Sequence, residues 1–238
     1  YWFAISLFIT LTIAVLYLLS TPPIYTRTAA ILVKDNSKSS SSTSAMNDFS
    51  DLGIFKSNTN INNELLTLKS PTLMTEVVNR LGLNETFTIR KGLKNVDLYK
   101  VSPVTITFCD KIEVPLSFTI KFSSKEAFAI SELEISGEDI GETLSAQMGD
   151  SIQTSAGIMI VSPTQEFTDA FIGTSIRYVR GSVRAAVDTY SNALVAELGN
   201  EDATIINLSI NDTSIRKAED ILNTLLSLIH ISEPTRLR

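Results

Sequence analysis

IRYVRGSVRAAVDTYSNALVAELGNEDATIINLSINDTSIRKAEDIL, residues 176–222, is the stretch whose reading decides the fold. Its opening residues, Ile176 to Val179, are β-branched or aromatic at three of four positions and read as a strand. Ser182 can cap a helix on which Val183, Ala186, Val187, Tyr190 and Leu194 recur along one stripe. Leu194 to Leu198 and Thr204 to Ile210 read as two strands, joined by the turn-rich Gly199-Asn200-Glu201-Asp202. Asp212 can cap a last helix through Ile215, Ala218 and Leu222. Strand, helix, strand, strand, helix is most of a ferredoxin-like unit, to whose sheet one further strand could add.

Upstream, Gly149 to Val161 reads as a hairpin turning at Ala156-Gly157. Val104 to Phe108 and Leu116 to Phe122 alternate apolar and polar residues behind Pro103 and Pro115, as an antiparallel meander does. These runs predict an inserted β-rich lobe over about residues 99–148. From Asn60 the spacing turns helical, through Ile61, Leu65, Leu66 and Leu68. Ser70 can cap and Pro71 start a second helix carrying Leu73, Met74, Val77, Val78 and Leu81, which Gly82 can stop. Residues 36–51 open with the serine-rich NSKSSSSTS, which buries too little apolar surface to order itself, and are expected to form a flexible loop. The run IYTRTAAILVKD, residues 24–35, reads as the further strand of the sheet.

At the head of the chain stands YWFAISLFITLTIAVLYLLS, with no charge before Arg27. About 20 apolar residues span a bilayer, and Tyr1, Trp2 and Tyr17 stand where interfacial aromatics belong. Ser20-Thr21-Pro22-Pro23 offers no small-residue cleavage site, so residues 1–20 are expected to be a retained transmembrane helix rather than a signal peptide. No methionine precedes Tyr1, and a short cytoplasmic segment is expected to be missing from this end. Loop charges therefore do not set the orientation. At the other end, residues 226–238 resemble a translated sequencing adapter and are expected to be a non-native tail beginning after Leu225. The single histidine, His230, falls inside it. The fold class expected is α+β: a transmembrane helix, a ferredoxin-like membrane-proximal base over residues 21–225, and the inserted lobe.

The formal net charge is -6, and no basic run interleaved with aromatics is present, which argues against binding nucleic acid through its phosphates. One cysteine, Cys109, forms no internal disulfide and reads as a small strand residue rather than a nucleophile. Glu132, Glu134, Glu138, Asp139 and Glu142 contain the pairs a glycosidase would need, but such a run reads more simply as a solvated acidic face. Arg177, Arg180 and Arg184 read as ordinary salt-bridge partners for the chain's abundant acids, with an anionic sugar or a neighbouring subunit as the sharper possibility. There is no GxxxxGK[ST] loop and no metal-ligand spacing. Asn84, Asn207 and Asn211 open chance glycosylation sequons. No catalytic residue, cofactor site or metal site is assigned, and the chain itself is not expected to be an enzyme.

Three blocks in order carry a resemblance: the N-terminal span, IYTRTAAILVKD, and NINNELLTLKSPTLMTEVVNRLGL at residues 60–83. Together they resemble the chain-length determinant (Wzz-type) domain of bacterial polysaccharide co-polymerases. TYSNALVAELGNEDATIINLSINDTSIRKAEDILNTL, residues 189–225, is similar to the form fused to a cytoplasmic tyrosine autokinase. The resemblance implies an inner-membrane protein with its bulk on the periplasmic side. It implies a ring-like homo-oligomer that scaffolds a polysaccharide polymerase, with the glycan as a further candidate partner, and sets chain length in capsular, exopolysaccharide or O-antigen synthesis. A member would continue into a second span and, in the fused type, a kinase domain. The competing readings are the extracytoplasmic module of a full-length tyrosine kinase and a membrane-anchored sensor or adhesin ectodomain.

Overall fold

A computed structural model describes residues 1–32, 64–109, 114–199 and 205–232. It is α+β and opens with an apolar helix, α1, over Trp2–Ser20. Within the remainder the chain divides into two compact units: residues 25–81 with 187–238, and residues 82–186, with which the N-terminal 24 residues are grouped.

The first unit is built on β1 (Tyr25–Leu32), α2 (Pro71–Leu81), β12 (Leu194–Leu198), β13 (Ile205–Asp212) and α4 (Ile215–Ser232). Its three-stranded sheet runs β1-β13-β12, with both pairings antiparallel. This is the strand arrangement of a ferredoxin-like unit without its fourth strand. One face carries Ile206, Leu208 and Ile210 of β13 with Leu194 and Ala196 of β12, all buried. Helix α4 packs against β1 and β13 and touches α2. It contributes Ala218, Ile221, Leu222 and Leu225, and α2 contributes Met74, Val77 and Val78. Gly82, at φ +62, supplies the left-handed residue that stops α2.

Two expectations need correction here. The strand opening at Ile176 is not in this sheet, and β1, just after α1, takes the first place. The cap of α4 is Ser214, whose Oγ accepts the Lys217 N–H at 3.4 Å; Asp212 sits two residues earlier and accepts the Ser214 N–H at 2.7 Å. Residues 226–232, expected to be a tail, continue α4, with Leu228 8% exposed. The expected loop at 36–51 and residues 233–238 lie outside the described residues.

The second unit is a sandwich of two antiparallel sheets. The larger sheet, counted as seven strands, runs β3 (Lys94–Asp97), β2 (Glu85–Lys91), β11 (Ser175–Arg180), β5 (Leu116–Phe122), β6 (Ala127–Ile135) and β7 (Glu138–Asp139), with β8 (Leu144–Gln147) also on β6. The smaller runs β4 (Val104–Phe108), β10 (Gly157–Pro163) and β9 (Ser151–Thr154). Alternate residues of the large sheet, among them Phe118, Ile120, Phe122, Ile176 and Tyr178, meet Val104, Met159 and Val161 of the small one in a single core. The β structure is thus wider than residues 99–148. β2 and β3 precede that span, and β9 to β11 follow it. The reason β11 lies here is its pairing with both β2 and β5, which puts Ile176 and Tyr178 into the sandwich. A bulge in β6 opposite Ser117/Thr119 places Glu132 at φ 54. Helix α3 (Val183–Ala193) follows β11 and is capped, as expected, by Ser182, whose Oγ accepts the Ala185 N–H at 3.2 Å.

Candidate functional site

The element with the plainest physical role is α1. Its 19 residues extend about 28 Å at 1.5 Å per residue, close to the thickness of a bilayer's hydrocarbon core. It is the one described helix long and apolar enough to cross a membrane, and none of its side chains is buried by protein. Its hydroxyls are satisfied within the helix. Thr10 Oγ1 donates to the Ser6 carbonyl at 2.9 Å and Thr12 Oγ1 to the Phe8 carbonyl at 2.8 Å; Ser20 and Thr21 both donate to the Tyr17 carbonyl. Such back-bonding removes the cost of placing hydroxyls in hydrocarbon. Thr21 leaves the helix in an extended conformation (φ -81, ψ 123), and β1 begins four residues later.

In the unit built on β1, β12 and β13, the sheet face opposite α4 holds Thr26, Thr28, Ala30, Val195, Glu197, Asn207, Ser209 and Asn211. Thr26 Oγ1 donates to Asn211 Oδ1 at 2.6 Å, and Glu197 is the one charged group in this set. Asn207 and Asn211, two of the sequon residues, are exposed here. The helix-covered side carries two ion pairs. Arg27 Nε lies 3.1 Å from Glu219, and Lys217 Nζ lies 3.9 Å from Asp212 with both side chains at most 10% exposed.

In the sandwich, the acids singled out from the sequence lie along β6, β7 and the turn after them, with Glu134 and Asp139 direct cross-strand partners and Glu138 exposed opposite Ile135. Glu134 accepts from Ser117 Oγ at 2.7 Å and from Arg177 at 3.0 Å, while Glu132 accepts from Thr119 at 2.8 Å. Glu142 bonds the Ser155 hydroxyl, and Asp139 accepts the Gly141 N–H at 2.9 Å. Each holds a strand or turn in place, as solvated acids on a sheet commonly do. Cys109 follows β4 and is exposed rather than within a strand. Arg180 and Arg184 do not share a helical face, because Arg180 ends β11 and Arg184 lies in α3. Among the described residues no group of three or more His, Cys, Asp or Glu is arranged to hold a metal.

One cluster escaped the sequence reading. Arg180 and Glu85 face each other across β11 and β2, with Nη1 to Oε1 at 3.6 Å, and the guanidinium lies 4.9 Å from the Phe108 ring. Behind them the fully buried Tyr178 packs against Phe87 and Phe118 at centroid distances of 4.9 and 5.0 Å. Its hydroxyl faces Glu85 and Arg180, which act on it both as charges and as polar neighbours within hydrogen-bonding reach, but it makes no well-formed hydrogen bond among the described residues. Burial raises the Glu85 carboxyl above its ordinary value, against the opposing pull of Arg180. Burial raises the Tyr178 phenol as well, so it stays protonated. No nucleophile stands beside a base here. The cluster fastens the ends of β2 and β11.

Residues 1–81 match the family model described as Wzz, chain length determinant protein. The match covers about a third of the chain and takes in α1, β1 and the whole of α2, ending on that helix's last residue. No curated protein matches the chain.

Proposed function

We propose that this chain is a polysaccharide co-polymerase component that sets the chain length of a capsular, exopolysaccharide or O-antigen polymer. In this reading α1 lies in the inner membrane and the two folded units lie on its periplasmic side. The match over residues 1–81 carries the proposal, since it identifies a Wzz-type region and joins the apolar helix, the first sheet strand and the helix packed on α4 in one family pattern. Wzz-type proteins are membrane-associated, non-enzymatic regulators of chain length, and Glu132, Glu134 and Asp139 of this chain hydrogen-bond strand and turn groups. The mechanism is scaffolding by a ring-like homo-oligomer beside the polymerase, so that subunit contacts rather than a covalent step limit extension. The likeness of residues 189–225 to the kinase-fused form supports a parent of that type.

The test is the mass of the particle extracted from membranes in mild detergent. A discrete multiple of the protomer mass supports scaffolding. A monomer across all protein concentrations and detergents contradicts it.

A further inference from the structure

The chain carries a net charge of -6, yet three cations fall within five residues, Arg90, Lys91 and Lys94, around the two-residue turn Gly92-Leu93 that joins β2 to β3. Gly92 adopts φ +64, which such tight hairpin turns require at their first central position. Lys91 and Lys94 are direct cross-strand partners. Like charges placed opposite each other destabilise a hairpin, so this pair is held against its own repulsion. No acid relieves it: among the described residues, Arg90, Lys91 and Lys94 take part in no salt bridge, and Arg90 Nε donates instead to the Gly92 carbonyl at 3.3 Å. Between the lysines stands Leu93, 49% exposed, and Val96 is 37% exposed on β3.

We infer that this hairpin tip is a contact for the surface of an anionic phospholipid bilayer. Two features select that partner. The facing lysines with Arg90 make a local positive charge that no described acid of the chain neutralises. An apolar residue at the apex, flanked by cations, is the pattern of an interfacial element whose side chain enters the headgroup boundary while its charges stay among the phosphates. A soluble acidic polymer would use the cations and leave Leu93 without a role. The contact needs little intrinsic affinity, because α1 holds the chain at the membrane and makes binding an intramolecular event.

The experiment uses the full chain with Cys109→Ser and a polarity-sensitive dye on Asn95→Cys, an exposed position beside the tip. It is reconstituted through α1 into phosphatidylcholine vesicles with or without about a quarter phosphatidylglycerol, and read by dye emission and by quenching from lipid-borne nitroxides. The expected result is a blue shift and quenching only in the anionic vesicles. Both should fade toward 1 M salt, where screening acts within about 3 Å. Lys91→Ala and Lys94→Ala should each weaken the response roughly fivefold, near the worth of one basic residue at such a surface. Lys94→Glu separates recognition from folding, since it should raise the melting temperature by removing the facing like charges while abolishing the lipid response. Equal signals in both vesicle types, no signal in either with the chain folded by circular dichroism, or a soluble polygalacturonate shifting the dye as strongly as the anionic bilayer would each overturn the inference.

Discussion

Tyr178→Phe is expected to stabilise the sandwich. The side chain is fully buried against Phe87 and Phe118, and its hydroxyl faces Glu85 and Arg180 without making a well-formed hydrogen bond among the described residues. An unsatisfied buried hydroxyl costs about 1–3 kcal/mol, whereas removing it leaves the ring in place. Part of that cost is already offset by the charges of Glu85 and Arg180 facing the oxygen, so the expected gain is about 1 kcal/mol. For a unit of this size 1 kcal/mol corresponds to a rise in Tm of about 4 °C. The assay is urea and thermal unfolding of the detergent-solubilised chain followed by far-UV circular dichroism, with the variant compared at equal protein and detergent concentration. A loss of 1 kcal/mol or more would refute the reasoning, because it would mean that the hydroxyl donates a good hydrogen bond to Glu85 and is a stabilising member of the cluster.

Glu85→Gln probes the same cluster by pH. Burial raises the folded-state carboxyl, so the charged form disfavours the fold, and the stability Glu85 contributes is present below its ordinary value of 4.5 and lost as pH rises through the raised value. The stability of wild type relative to Glu85→Gln should therefore fall between pH 4 and pH 7 in parallel urea titrations, and a relative rise would contradict the assignment. Asp212→Ala removes one ion-pair partner of the buried Lys217 and the acceptor for the Ser214 N–H, and should cost about 2 kcal/mol in the same assay; a cost below 1 kcal/mol would show that Asp212 does not hold the start of α4. Leu11→Arg, at the middle of α1, adds about 3 kcal/mol to the insertion cost, which should lower the share of chain recovered in alkali-washed membranes; unchanged recovery would argue that α1 does not span.

Local signals in the sequence carried further than pairing signals did. Helix α1 was legible because an uncharged apolar run of its length has few other solutions, and α2 because Ser70, Pro71 and Gly82 bracket an apolar stripe. The paired strands before α4 were legible from their alternation. Strand β2 was missed because ETFTIRK is charged at both ends and mostly half-buried, without the clean alternation of β4. The sheet to which Ile176 belongs could not be read, because both of its partners, β2 and β5, are distant in sequence. The same distance hid the Glu85, Tyr178 and Arg180 cluster, whose members show no spacing to mark them. Lys91 and Lys94 were readable as cations but not as partners, since their opposition follows from the turn at Gly92 and Leu93.

The account rests most directly on the claim that this chain sets polysaccharide length. The deciding measurement is the size distribution of surface polysaccharide from a host strain in its wild-type form, with the gene deleted, and with it restored, separated on gels at matched total sugar. A modal length that broadens or shifts on deletion and returns on restoration is the predicted result. An unchanged distribution in all of these strains would contradict the claim.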